Sequence, residues 1–209
     1  MRIDAWIQHL EHLGLADPAP LPPEKTLLSG ERGEQRLWRA CAGEAIDLGW
    51  LGAARPAAAA TQGSAGPSTL VPADGPLLAP DGYLAIEVWA ECELSALHAL
   101  HRLVRERNPR LPPSAKARLE AAARWHIEHT QPDNSTNRPW SLHVFLLAAL
   151  GPGIQGIDPG DARFYAETLL HNMTATDARD EPLSRWILGD AARELRLAAR
   201  ELRFAARGG

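Results

Sequence analysis

The most constraining stretch of the sequence is a run of apolar residues that follows an asparagine-rich turn. From Pro139 to Leu150 only Ser141 and His143 are polar. A helix that is apolar on all sides must be buried on most of them, and this run is too short to cross a bilayer, which needs about 20 residues. Pro139 suits a first helical turn, where its missing N–H costs nothing. The sequence therefore predicts a buried helix over 139–150.

The turn that precedes this helix carries the densest polar chemistry of the chain. A buried helix needs partners for its first N–H groups, and Asn134 and Asn137 can supply them through caps and turns. The same N–H groups, the helix dipole and Arg138 would also favour a bound anion or polar ligand. Asn134, Asn137, Arg138 and, one turn into the helix, His143 are therefore candidate ligand-binding residues. Capping is the simpler interpretation of the turn.

Length and composition limit the class of protein. A chain of 209 residues with 45% apolar content and seven tryptophans supports a substantial core. The net charge of −4 argues against nucleic-acid binding. Cys41 and Cys92 are far apart and form no metal or redox spacing, which predicts reduced thiols. We expect a cytoplasmic protein without a membrane contact, because neither a signal peptide nor a membrane-spanning run is recognisable.

Three segments of the chain differ in composition. Residues 1–52 contain two helical patterns and form a predicted N-terminal helical segment. Residues 53–80 are rich in Ala, Pro and Gly, and such a stretch buries too little apolar surface to offset its ordering entropy. We expect a flexible linker there, in which Leu77 and Leu78 contact the core. Residues 81–209 form the predicted core domain.

The core domain shows apolar residues at helical spacing in five stretches. They cover 82–107, 114–130, 139–150, 161–173 and 183–206. The predicted fold class is all-α, with antiparallel helix hairpins packed as a bundle or a partial α/α toroid.

The helix pairing and the Asn-rich turn before an apolar helix resemble the α/α-hairpin toroid proteins, such as terpenoid cyclases and protein prenyltransferases. The resemblance covers at most about the C-terminal two thirds of the chain and implies architecture only. The acidic repeat that protonates substrate or binds diphosphate in those families is absent from this sequence. No catalytic residue and no activity are therefore carried over.

Histidine spacing raises the question of a metal site. His98 and His101 share a helix side at i, i+3 spacing, and so do His126 and His129. Glu91, His98, His126 and His129 are therefore candidate ligands of a divalent metal, and His143 could join them if the helices meet. Neither His-Glu-x-x-His nor Glu-x-x-His occurs in the chain. The simpler interpretation is a set of core histidines with hydrogen-bond partners.

These patterns favour a helical binding or scaffold module with a polar groove near residues 126–143. Its partner would be a protein or a small polar ligand, and no cofactor is expected. The alternative is a metal-dependent enzyme that uses the His/Glu set. Nucleophilic catalysis has little support, because the sequence contains no Gly-x-Ser-x-Gly elbow and no glycine-rich phosphate loop after a strand.

Overall fold

The computed structural model describes residues 3–15, 33–52, 55–56, 70–71, 73–78, 85–130, 136–150, 154 and 156–205. Within these residues the chain forms seven α-helices: α1 (Ile3–Leu13), α2 (Gly33–Cys41), α3 (Ile86–Arg105), α4 (Ala115–His129), α5 (Leu142–Leu150), α6 (Pro159–Ala175) and α7 (Pro182–Ala205). Short 3-10 helices span Gly49–Gly52 and Asp177–Asp180. Strand β1 (Arg55–Pro56) pairs antiparallel with β2 (Leu70–Val71). The all-α prediction is confirmed. No helix in the described ranges is long and apolar enough to cross a membrane.

The described helices belong to two compact units. Unit 1 lies within Met1–Leu27 and Thr136–Gly209, and unit 2 lies within Leu28–Ser135. In unit 1, α1 packs against α7, and α5 packs against both α6 and α7. In unit 2, α3 packs against α2, which precedes it in the sequence, and against α4, which follows it. In this grouping α1 pairs with α7, whereas composition divides the chain into three consecutive segments.

The apolar helix α5 is buried as the sequence predicts. Every residue from Leu142 to Ala148 is buried, and the ring of Phe145 lies 4.3 Å from that of Tyr165 between centroids. The predicted start at Pro139 is wrong, because Ser141 has a φ of 57°, which a right-handed helix cannot accommodate. The helix begins only after this residue. At the start of the helix, the Ser141 carbonyl accepts a hydrogen bond from the Val144 N–H at 2.8 Å.

A close backbone crossing joins the end of α1 to the middle of α7. A Cβ atom added to Gly14 would lie 2.6 Å from the backbone nitrogen of Gly189. An added Cβ on Gly189 would meet the carbonyl oxygen of Leu15. The Leu15 N–H also donates to the Arg185 carbonyl at 2.9 Å. Only glycine lets two backbones approach so closely, so these two positions fix how α1 docks on α7.

Part of the predicted linker is a packed segment of unit 2. Residues 73–78, which we call the strap, are described, and Leu77 and Leu78 within it are buried. The expected contact of these two leucines with the core is confirmed. Apart from the two paired dipeptides, the remainder of 53–80 lies outside the described residues, and its flexibility stays a prediction.

Several helix faces and ends differ from the predicted ones. Three large apolar side chains in the predicted helical stretches, those of Phe164, Phe204 and Ile86, are 70%, 73% and 62% exposed. Helix α6 extends beyond the predicted stretch 161–173 at both ends. Ser114, directly before α4, makes no side-chain capping hydrogen bond. Short apolar stripes therefore predicted the existence of the helices better than their limits.

The burial of Phe145 predicts a large loss of stability on truncation. We expect Phe145→Ala to lower the free energy of unfolding by about 3–5 kcal/mol, because the ring leaves a cavity that α5 and α6 cannot close. Urea denaturation of both variants measures this. The matched control is Phe164→Ala on exposed α6 surface, which should change stability by less than about 0.5 kcal/mol. Equal losses in the two variants would contradict the packing of α5.

The crossing of α1 and α7 predicts a second large effect. Gly189→Ala should destabilise the protein by about 1–3 kcal/mol, because the backbone of Leu15 must move away from the new methyl group. Gly160→Ala is the control, since its added Cβ would meet no backbone atom and only one carboxylate oxygen, that of Asp158 at 3.0 Å. Thermal unfolding should show a lower melting temperature for Gly189→Ala alone.

Candidate functional site

The polar turn before α5 is held by a threonine hydroxyl. The Thr136 Oγ1 atom accepts from the backbone N–H of Arg138 at 3.0 Å and donates to the carbonyl of the same residue at 3.2 Å. The Trp140 N–H then donates to the Arg138 carbonyl at 2.9 Å. The turn is therefore closed largely by Thr136 and by backbone groups. Asn137 is exposed, and Asn134 lies outside the described residues.

The two charged or ionisable candidates near this turn have different surroundings. The Arg138 Nε atom donates to Glu181 at 2.8 Å, just before α7 begins. This ion pair ties the turn to α7 within unit 1. His143, in the first turn of α5, has no exposed surface and is therefore part of the core. The assignment of Asn134, Asn137, Arg138 and His143 to a ligand site stays a prediction.

Unit 2 contains a buried carboxylate that holds the strap by its backbone. Glu93, in the middle of α3, is 0% exposed. Its two carboxylate oxygens accept from the backbone N–H groups of Leu77 at 2.5 Å and Leu78 at 2.6 Å. Charge-assisted bonds of this kind are about twice as strong as neutral ones. The Trp89 Nε1 atom adds a bond to the Leu78 carbonyl at 3.3 Å.

The guanidinium of Arg118 on α4 binds the other half of the strap. It donates to the carbonyls of Ala73 at 3.3 Å, Gly75 at 2.6 Å and Pro76. Burial lowers the pKa of Arg118, while the charges of Glu93 and Asp74 act in the opposite direction. The strap therefore lies between a buried acid on α3 and a buried base on α4.

His126 on α4 completes this network. Its Nε2 atom lies 3.6 Å from a Glu93 carboxylate oxygen, and both side chains are fully buried. Its Nδ1 atom lies 3.2 Å from the Thr130 hydroxyl, which itself donates to the His126 carbonyl at 2.8 Å. His126 is thus a core histidine with polar partners, which agrees with the simpler of the two interpretations.

A second buried acid joins α2 to α3. Burial raises the pKa of Glu34 from 4.5 to about 7, while hydrogen bonds from Ser95 and Cys92 lower it and the charge of Glu91 raises it further. The Trp38 Nε1 atom donates to Ser95 Oγ at 2.9 Å, which leaves the Ser95 hydroxyl proton for Glu34. Glu34 therefore changes its charge near neutral pH inside the protein.

The proposed metal ligands are distributed over different surroundings. His98 lies against the Trp38 ring at 5.7 Å between centroids, and the His129 ring stacks on Trp125 at 5.1 Å. Within the part of the chain that the structure describes, no three His, Cys, Asp or Glu side chains are grouped so that they could hold a metal ion. Glu91, His98, His126 and His129 belong to unit 2 and His143 to unit 1. A metal at these residues stays a prediction.

Unit 1 has buried acids of its own. Asp190 and Glu194 on α7 are 0% and 1% exposed. The Arg193 guanidinium between them contacts both carboxylates. The single guanidinium offsets one of the two negative charges, and this arrangement does not by itself form a site.

An open cleft of about 380 Å³ lies on the surface of unit 1, between α1, α6 and the 3-10 helix at 177–180. Its lining residues are His9, Leu13, Glu167, Leu170, His171, Thr174 and Arg179. The Glu167 carboxylate is paired with Arg163 at 2.7 Å. Among the described contacts, the Arg179 guanidinium has no ion-pair partner. The cleft therefore offers two imidazoles and one uncompensated guanidinium.

Most of these groups carry no local signal in the sequence. Glu93 could have been found, because it lies between Cys92 and Leu94 in the most apolar part of α3. Arg118 carried no such signal, since its partners are backbone carbonyls. His9 and Arg179 come together only because α1 docks next to α6, which no local pattern predicts.

Comparisons with known proteins give no assignment. No protein-family model, no curated protein and no solved structure matches this chain. The resemblance to α/α-hairpin toroid proteins therefore stays a prediction.

The raised pKa of Glu34 predicts a pH-dependent stability. The carboxyl of Glu34 keeps its proton up to about pH 7 in the folded protein but only up to about pH 4.5 in the unfolded chain. The free energy of unfolding therefore falls as the pH rises from about 4.5 to 7, by roughly 3 kcal/mol in total. Because glutamine cannot ionise, Glu34→Gln should not show this fall, and its stability relative to the native protein should increase between pH 4 and 8.

Urea denaturation at several pH values measures the difference. The control is Glu87→Gln on the exposed first turn of α3, which should show no such growth with pH. A constant difference between Glu34→Gln and the native protein would mean that folding does not raise the pKa of Glu34.

Proposed function

We propose that this protein is a helical binding module and that the cleft of unit 1 binds a small anionic ligand. One observation carries the proposal: Arg179, His9 and His171 line one cleft whose single carboxylate, Glu167, is already neutralised by Arg163. Guanidinium and imidazole groups are the usual donors to carboxylate and phosphate oxygens. The cleft volume falls in the range of small-molecule sites, about 300–1,000 Å³.

The shape and charge of the cleft narrow the ligand. Leu13 and Leu170 give it an apolar wall beside the basic groups. A small carboxylate or phosphate ester with a short apolar part fits both features. The net charge of −4 disfavours a long polyanion, because the rest of the surface would repel it.

Binding is favoured over catalysis by the state of the one hydroxyl in the cleft. The Thr174 Oγ1 atom donates its proton to the His171 carbonyl at 2.9 Å. An imidazole that acted as a general base would have to accept that proton instead. Among the described lining residues, no hydroxyl therefore donates to an imidazole, the pair on which nucleophilic catalysis by a side-chain hydroxyl depends.

The predicted polar groove near residues 126–143 stays a separate proposal for the same class of function. Its described residues belong to two units, and residues 131–135 lie outside the described chain. The metal-dependent enzyme stays the alternative prediction.

NMR titration of the ¹⁵N-labelled full chain tests the cleft. Inorganic phosphate and hexanoate are the two probes, and they distinguish a phosphate site from a carboxylate site. We expect chemical-shift changes around His171 and Arg179. Arg179→Gln should weaken binding about tenfold or more, because a hydrogen bond to a charged group contributes roughly 1.5–3 kcal/mol.

A matched pair on α1 provides the control. His9→Gln removes an imidazole from the cleft, whereas His12→Gln removes an exposed imidazole of the same helix that does not line it. Only His9→Gln should weaken binding. Equal affinity of both variants, or the absence of shifts at high probe concentration, would disprove the anion site.

A further inference from the structure

The strap of unit 2 is held in the way that peptide-binding proteins hold a peptide. Side chains of α3 and α4 bind its main chain: Glu93 takes two N–H groups and Arg118 takes carbonyls in its first half. The last carbonyl, of Leu78, accepts from Trp89. Main-chain hydrogen bonds of this kind supply affinity, and pockets for side chains supply specificity.

The apolar side chains of the strap fill places that fit them closely. Leu77 and Leu78 are 4% and 6% exposed. A Cβ added to Gly33, the first residue of α2, would lie 2.6 Å from Leu78 Cδ2 and 3.0 Å from the Trp50 ring. Leu78 can therefore occupy this position because residue 33 is a glycine, whose missing side chain leaves space for the Leu78 methyl group beside Trp50.

The groove cannot stay empty without cost. Glu93 has no solvent contact, and Arg118 is largely buried. If the strap leaves, both charges lose their hydrogen-bond partners, and an unpartnered buried charge is strongly destabilising. The groove between α3 and α4 must therefore be filled by a segment that presents carbonyls first and two adjacent N–H groups next. Pro76, which has no N–H, marks the change from one half to the other.

We propose that the groove between α3 and α4, built around Glu93 and Arg118, is a peptide-binding site that the chain's own strap occupies. The occupant it accepts from another molecule is an extended segment of the same type, Gly-Pro-Leu-Leu. The strap shows directly which main-chain groups and side chains fit. A tethered occupant competes at an effective concentration in the millimolar range, so the native protein binds such a segment weakly until the strap is displaced.

Release of the strap tests the proposal. Leu77→Asp/Leu78→Asp places two carboxylates in buried positions and should expel the strap. The probe is a fluorescently labelled, end-capped peptide Ala-Asp-Gly-Pro-Leu-Leu, followed by fluorescence anisotropy with the full chain. The released variant should bind it at least about tenfold more tightly than the native protein, because competition by the strap is gone. A peptide with aspartate in place of both leucines should not bind.

A matched pair of substitutions on α3 identifies the groove. Added to the released variant, Glu93→Gln should weaken binding roughly tenfold, because a carboxamide has one oxygen to accept the two N–H groups. Glu87→Gln, on the exposed first turn of the same helix, should leave binding unchanged. The proposal is overturned if the Leu77→Asp/Leu78→Asp variant is folded but does not bind the peptide, or if it binds the aspartate peptide equally well.

A second measurement decides the matter if the released variant does not fold. In the ¹⁵N-labelled native protein, millimolar unlabelled peptide should shift the amide resonances of Leu77 and Leu78 toward those of an unbound segment. Unchanged resonances at that concentration would show that the strap is a fixed structural element and would overturn the proposal. The result is independent of the anion cleft, because the groove lies in unit 2 and the cleft in unit 1.

Discussion

The carboxylate of Glu93 has no contact with solvent, so protein groups alone must balance its charge. They do so from three directions: the strap supplies two N–H groups, and His126 and Arg118 supply positive or polar groups from α4. Because these partners come from the strap and from α4, one buried acid of α3 fixes the positions of the strap, α3 and α4 together. The same helix carries Ser95, which binds Glu34 of α2.

Unit 1 is organised by backbone proximity and not by a single charge. Gly14 and Gly189 allow α1 to contact α7 at main-chain distance, and such a crossing leaves no space for side chains between the helices. Asp190 and Glu194, which are buried, follow that crossing in the sequence of α7, and the Arg193 guanidinium contacts both carboxylates. Its single positive charge offsets one of the two negative charges.

The sequence allowed the helices to be predicted more reliably than their partners. The buried α5 and the inner face of α1, with Ile7 and Leu10, follow from apolar spacing alone. The start of α5 could not be predicted, because a serine rarely adopts the left-handed backbone that Ser141 has here. The same holds for the site residues: an acid such as Glu93 is stable inside only because distant groups satisfy it. Periodicity in a short window contains no information about those groups.

The division of the chain has a consequence for how the protein is made. Unit 2 is continuous in sequence, whereas unit 1 needs the N-terminal residues and those after Thr136. A ribosome adds about 5–20 residues per second, so α1 leaves it on the order of ten seconds before Gly189 exists to receive it. During synthesis unit 2 can therefore close first, while Trp6, Ile7 and Leu10 remain without the helix that buries them. The packing of α1 is complete only once α7 has been made.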